Sequence, residues 1–132
     1  MTTTAITATL LSGPLPMDPR RKKAVISLLL PESWTAAGVA IDLSAAALGS
    51  FTYITESHFT GVGIDDYDNI LQLIGTEGTS ANEGNLSAST CKVYAVRGAI
   101  KTGDAQAATV FGAVTATTNL SALACHLTVY GY

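Results

Sequence analysis

A chain of 132 residues has the length of one ordinary domain and is long enough to bury a core. Only 13% of its residues are charged, against roughly 25% in typical soluble proteins. Alanine (20) and threonine (18) are abundant instead, a composition that either suits a protein covering part of its surface with neighbours or is merely unusual. The net charge of −3 and the pI of about 5.1 disfavour nucleic-acid binding, which needs an extended basic face.

The N-terminal part of the chain predicts a strand and then a proline-rich arm. The strand covers residues 3–11, and Gly13-Pro14-Leu15-Pro16 after it must turn or run extended. We treat 1–132 as a single domain, with the N-terminal strand and arm at 1–19 and a sandwich core at 20–132. Residues 1–5 lack the basic start and apolar run of a signal peptide, and the apolar runs are too short to cross a bilayer, so no membrane role is expected.

A basic cluster follows the arm and holds four of the seven basic residues, Arg20, Arg21, Lys22 and Lys23. It carries +4, and the rest of the chain therefore carries −7. One interpretation is a solvated strand entrance that discourages edge pairing. The other is a docking contact for the acidic surface of a partner. These four residues are the candidate partner-docking site.

The rest of the chain is predicted to form short strands separated by turn residues. Alternating apolar residues predict strands near 23–30, 39–43, 51–59, 70–74, 91–96, 110–114 and 123–130, with long loops at 61–69 and 75–89. The only helical piece expected is one short turn at Ser44–Leu48. About eight strands without long helices predict an all-β fold, an antiparallel two-sheet β-sandwich resembling a jelly roll. The predicted buried residues are Ile26, Leu28, Leu30, Val39, Ile41, Leu43, Leu71, Leu73, Val93, Leu123, Leu127 and Val129.

Neither a catalytic nor a metal-binding pattern is visible in the sequence. The common nucleophile, phosphate-loop and zinc motifs are absent. Asp66 and Asp68 fit only the first two places of a calcium loop, so a solvated acidic loop is the expectation. His58 and His126 have no spacing that supports catalysis. We therefore expect no enzyme activity, no cofactor and no metal.

The cysteines and the single tryptophan are interpreted as structural. Cys91 and Cys125 lie in strand-like surroundings with no metal-binding or redox spacing, and we expect buried free thiols. Trp34 lies in a Pro/Gly-flanked loop, which its large ring is expected to hold against the end of the sandwich. Sugar stacking by Trp34 is the alternative, but no second exposed aromatic residue is evident beside it.

The order of several segments resembles a known protein family. A strand led by basic residues, 23–30, precedes a loop containing Trp34 and Gly38, and then Ile41-Asp42-Leu43-Ser44 leads to Leu48-Gly49. An aromatic strand follows, and the chain closes with Asn119-Leu120-Ser121-Ala122-Leu123 and Val129-Tyr130-Gly131-Tyr132. From about residue 20 onward the chain resembles the small β-sandwich decoration (cement) proteins of tailed-bacteriophage heads.

This resemblance implies a non-enzymatic virion protein that is made in the host cytoplasm and sits on the capsid surface. It implies the major capsid protein as a partner and self-association, with a homotrimer favoured over a dimer. The family has no catalytic residues to transfer. Two alternatives stay open: another virion component, of the tail or of head completion, and a jelly-roll carbohydrate-binding module.

Overall fold

The computed structural model describes residues 2–17, 21–63, 67–75, 86–100 and 112–132. This part of the chain forms an antiparallel two-sheet β-sandwich with one short 3-10 turn, which confirms the predicted fold class. Its strands are β1 (Thr7–Pro16), β2 (Lys22–Leu29), β3 (Val39–Ala40), β4 (Tyr53–Thr60), β5 (Tyr67–Ile74), β6 (Leu86–Ser87), β7 (Lys92–Ile100), β8 (Gly112–Ala113) and β9 (Cys125–Gly131). The 3-10 turn at Ala46–Leu48 lies inside the predicted helical turn.

From β2 to β7, successive strands alternate between the two sheets. The first sheet has the order β1-β2-β9-β4-β6, and the second has the order β3-β7-β5, with β8 also paired to β7. The pairing is nested, because β2 pairs with β9, β3 with β7 and β4 with β6. Nested antiparallel pairing split over two sheets is the connectivity of a jelly roll.

The apolar faces of the two sheets form one core. Burial alternates along β2 and β9, as expected when one face of a strand packs inward and the other faces solvent. Every residue of the predicted core is buried except Leu73, which is half-buried on β5 and packs against the others. The largest buried side chains also include Trp34, Phe51 and Ile54.

The N-terminal strand begins and ends later than predicted, spanning Thr7–Pro16 instead of residues 3–11. β1 continues through Gly13–Pro16, which the sequence assigned to a separate arm, and Leu15 and Pro16 pair with Lys23 and Lys22. Register shifts between Leu10 and Ser12 and between Ser12 and Leu15 accommodate this stretch. Proline is tolerated here because β1 is an edge strand, where one side of the backbone needs no ladder partner.

Two further elements differ from the prediction. β5 begins at Tyr67, inside the predicted loop 61–69, and β6 lies in the predicted loop 75–89. β3 has only two residues, but backbone hydrogen bonds continue beyond it. The N–H of Ile41 donates to the carbonyl of Cys91, and the N–H of Leu43 donates to the carbonyl of Ala88. Residues 76–85, together with Asp65 and Asp66 of the predicted acidic loop, lie outside the described residues.

Candidate interaction surface

The basic cluster lies at the start of β2, between the edge strand β1 and the central strand β9. The N–H of Met17 donates to the carbonyl of Arg21 over 2.9 Å and closes the β1–β2 hairpin. Arg21, Lys22 and Lys23 are half-buried, whereas Arg20 lies outside the described residues. The structure thus places three of the four predicted docking residues together at one end of the first sheet.

The ammonium group of Lys22 makes its contacts within the same chain. Its Nζ donates to the carbonyl oxygens of Gly49, at 2.8 Å, and Ser50, at 3.1 Å, and it lies 5.0 Å from the centre of the Phe51 ring. These carbonyls follow the 3-10 turn, where backbone acceptors lack intrahelical partners. Lys22 therefore ties the start of β2 to this turn, and neither interpretation of the sequence assigned it that role.

Arg21 and Lys23 both contact Tyr130 of β9. The Arg21 Cζ lies 5.4 Å from the centre of the Tyr130 ring, and the Lys23 Nζ lies 5.9 Å from it. Lys23 is also directly opposite Tyr130 in the β2–β9 ladder, so both side chains project from the same face of the sheet. Cation–π attraction favours this arrangement and holds two positive charges on the outer face.

The neighbouring strand β4 adds a carboxylate and a histidine. Glu56 is opposite Tyr130 in the β4–β9 ladder, and its Oε2 lies 2.7 Å from Nε2 of His58. The His58 ring meets Tyr130 edge-on, with centroids 6.3 Å apart. Among the described residues, Glu56 pairs with His58, and no ion pair joins Glu56 to Lys23.

A pair of tyrosines lies at the same end of the sheet. The rings of Tyr53 and Tyr132 are 5.7 Å apart and tilted by 53°. Their backbones are bonded as well, since the N–H of Tyr132 donates to the carbonyl of Tyr53. We call Arg21, Lys23 and Tyr130 the cationic patch; Tyr132 of the tyrosine pair follows Tyr130 by two residues.

The cationic patch contrasts with the acidic character of the whole chain. Arg21, Lys22 and Lys23 are three of the five basic residues in the described part of the chain, and the other two, Lys92 and Arg97, lie on β7 of the second sheet. With a net charge of −3, the chain has a local positive region at this sheet end. The sequence identifies the cations but not Tyr130. Alternation every two residues shows on which face of a strand a residue lies, but not which residue lies opposite it on the next strand.

Trp34 holds its loop to the sandwich, as predicted. It is 2% exposed, its N–H donates to the carbonyl of Thr118, and its own carbonyl accepts from the N–H of Thr117. The indole Nε1 is buried with no hydrogen-bond partner among the described residues. A buried ring cannot stack on a sugar, so the alternative role considered for Trp34 is wrong.

Both cysteines are buried free thiols, as predicted. Burial raises the pKa of Cys91 and of Cys125 to about 11. The Sγ of Cys91 also donates to the carbonyl of Ile41 over 3.3 Å. These thiols are therefore protonated and shielded at neutral pH, and they act as small apolar groups of the core.

The described residues hold no group of three or more histidine, cysteine or carboxylate side chains placed to bind a metal ion. Over the same residues, no helix has the length and apolarity needed to cross a bilayer. Comparisons of the chain with protein-family models, with curated proteins and with solved structures found no match.

Proposed function

We propose that the chain is a non-enzymatic virion protein that decorates the outer surface of a bacteriophage head and stabilises it. The observation that carries the proposal is the cationic patch, in which Arg21 and Lys23 flank Tyr130 at one end of an otherwise acidic molecule. Such a patch suits an acidic surface of the major capsid protein. Its aromatic centre adds apolar contact area between the two charges.

The fold and the sequence resemblance support the same role. Jelly rolls occur in viral capsid domains and also in lectins, so the architecture is compatible with the proposal without choosing between them. The resemblance to head decoration proteins favours the capsid. A repeating capsid lattice also binds an oligomer at several points at once, which raises avidity even when each contact is weak.

The test is binding to undecorated heads by a variant with both cations of the patch removed, Arg21→Ser with Lys23→Ser. Lys22 is left intact, because its bonds to Gly49 and Ser50 are part of the fold. We expect affinity to fall by roughly 2- to 30-fold per copy, since each exposed ion pair contributes about 0.2–1 kcal/mol. Binding of the original protein should weaken between about 0.1 M and 1 M salt, as the Debye length shrinks from about 10 to 3 Å.

A matched pair of single changes supplies the control. Lys92→Ser removes one charge from β7 on the other sheet, and Lys23→Ser removes one from the patch. Only Lys23→Ser should reduce the occupancy of the heads. Equal binding by the original protein and the Arg21/Lys23 variant at both salt concentrations, with unchanged unfolding curves, would contradict docking through this patch.

A role elsewhere in the virion, in the tail or in head completion, makes a different prediction of copy number. A decoration protein is present in proportion to the major capsid protein, whereas a tail or head-completion component occurs in few copies. Quantitative mass spectrometry of purified particles distinguishes the two. A measured number of only a few copies of this chain per particle would exclude a decoration role.

Carbohydrate binding is a second candidate, and the Tyr53–Tyr132 pair is the observation that favours it. Two neighbouring aromatic rings, one of them 38% exposed, are what a sugar-stacking surface requires. The test is a glycan-binding screen of the original protein and of Tyr132→Ala. Binding that is lost in the variant supports this candidate, and no binding by the original protein excludes it for the glycans screened.

A further inference from the structure

The free edge of β1 is the most apolar exposed region of the described chain. Of the six large apolar side chains that are most exposed, four belong to the β1–β2 hairpin or its end: Leu11, Leu15, Met17 and Leu29. In the described part of the chain, β1 has β2 as its only ladder neighbour, so one side of its backbone has no strand beside it. An exposed apolar edge of this kind is a template for pairing with another strand.

Only half of this edge carries the features that prevent such pairing. Pro14 and Pro16 have no backbone N–H, and the register shifts of β1 fall between Leu10 and Leu15. The half from Thr7 to Leu11 contains no proline, no lysine and no acidic residue, and it pairs regularly with β2 as far as Leu10, with Leu11 at the first register shift. This half can therefore accept a strand.

We propose that a second copy of this chain pairs with the Thr7–Leu11 edge and forms a two-fold symmetric dimer. The absence of charged side chains along the edge favours a second copy as the partner. Residues 2–17 contain no charged side chain, so two copies meet here without repulsion, while a strongly charged partner would find no complementary charge. The acidic capsid surface proposed above is instead matched by the cationic patch.

The faces of β1 restrict the register of this pairing, and Thr9 is the centre of Thr7–Leu11. Thr7 and Thr9 are exposed, and Ala8 and Leu10 are half-buried and pack against the core. An antiparallel pairing with Thr9 opposite Thr9 keeps the exposed residues of both copies on one face. It also places Ala8 opposite Leu10, which extends the two cores toward each other, and Thr7 opposite Leu11. The first sheets then join into one continuous sheet across the two-fold axis.

The pairing differs from the homotrimer that the family resemblance implies, because antiparallel pairing of identical edges is two-fold and closes at two copies. It is also independent of capsid binding. Failure of the dimer leaves the test of the cationic patch unaffected, and failure of capsid binding leaves the dimer test unaffected.

The first experiment is sedimentation of the full chain at micromolar concentration. The original protein should sediment at about 27 kDa, twice 13.6 kDa, and Leu11→Lys should sediment as a monomer. Ile70→Lys is the matched control, because Ile70 is 49% exposed on β5 of the other sheet and Leu11 is 53% exposed. The control should remain dimeric, and circular dichroism should show all three proteins folded.

The second experiment tests the register directly by a disulfide at position 9. Copper-catalysed air oxidation removes a proton and an electron from each of two thiols, joins them and passes the electrons to oxygen. Facing residues of an antiparallel pair have Cα atoms about 4.5–5.5 Å apart, within the range a disulfide spans. Thr9→Cys should therefore link into covalent dimers, and Thr60→Cys, exposed on β4 of the same sheet, should not.

The outcomes separate cleanly. A dimer that Leu11→Lys abolishes and Thr9→Cys captures supports the proposal. A monomer for the original protein, or an oligomer that Leu11→Lys leaves intact, overturns it. A trimer in which Thr9→Cys forms no disulfide also overturns it, since the copies would then meet through another surface.

Discussion

Lys22 shows how the role of a residue depends on neighbours that are remote in sequence. It stands in a run of four cations, yet its ammonium group donates to two carbonyls that are 27 and 28 residues away. A solvated lysine contributes little to stability. A half-buried lysine with two backbone acceptors stabilises the turn that supplies them.

Replacing Lys22 by methionine should lower the free energy of unfolding by about 1–2 kcal/mol. The variant loses the hydrogen bonds from the charged ammonium group, and the carbonyl oxygens of Gly49 and Ser50 lose their donor. Lys23→Met is the control and should lower it by only about 0.5 kcal/mol, the loss of its cation–π contact with Tyr130. Urea denaturation of the two variants measures the difference. Equal effects of the two changes would contradict the assigned role of Lys22.

Thr117 adopts a backbone conformation that a β-branched residue disfavours. Its φ is 66°, in the left-handed region, where an L-residue other than glycine costs about 1–2 kcal/mol. Thr117→Gly should therefore raise the midpoint of thermal unfolding or leave it unchanged. Ala116→Gly, at the preceding position, should lower stability by about 0.5–1 kcal/mol. A Thr117→Gly variant as destabilised as Ala116→Gly would show that no strain is relieved.

The buried thiols predict how stability depends on alkaline pH. Burial raises the pKa of both thiols from 9.0 to about 11, so the folded chain keeps protons that the unfolded chain releases. Their contribution to stability is complete below pH 9 and is lost as pH rises toward 11. The loss is on the order of 2 kcal/mol per thiol by about pH 10.5, since one pKa unit corresponds to about 1.4 kcal/mol.

Urea unfolding of the original protein and of a Cys91→Ala, Cys125→Ala variant across this pH range measures the effect. The variant should lose less stability than the original protein, because tyrosine and lysine titration is common to both. Identical pH profiles would show that the thiols are not the cause.

At the level of elements, the alternating pattern predicted the strands with strong periodicity and missed those without it. Ile26, Leu28 and Leu30 alternate and are buried, and so are Leu123, Leu127 and Val129. The two-residue strand β6 has too few residues to show a period. The extension of β1 through Pro14 and Pro16 depends on β2 lying beside it, which no local pattern encodes.

The candidate surface was predictable only in part for the same reason. The run of four cations is visible in the sequence. The sequence does not show that Lys22 binds the 3-10 turn while Arg21 and Lys23 contact Tyr130, because these roles depend on the β2–β9 register. Register is a property of two strands that are remote along the chain: the paired residues Lys23 and Tyr130 are 107 positions apart.

Gly131 marks a close approach between β9 and β4. A Cβ atom built at this position would overlap the carbonyl group of Tyr53, in a place where β4 shifts register between Ile54 and Glu56. Gly131→Ala should therefore destabilise the fold by about 1–3 kcal/mol, the usual cost of overpacking. Gly75→Ala is the control, because among the described residues its Cβ would meet only the end of the Leu86 side chain, at 3.4 Å. Similar unfolding curves for the two variants would contradict a close strand approach.

At the scale of the whole molecule, the nested strand pairing forms a sandwich with the cationic patch at one end of the first sheet. The β1 edge lies along the side of that sheet. We propose the cationic patch as the contact with an acidic capsid and the β1 edge as the contact with a second copy. A dimer with a patch on each copy would dock at two points, so that weak single contacts combine.

The most direct test of the proposed decoration role is a cryo-electron microscopy density map of the virion that contains this chain. The account predicts jelly-roll density repeated over the outside of the head, with Arg21 and Lys23 facing the capsid. Density for this fold confined to the tail or to a single vertex, or its absence from the particle, would contradict it.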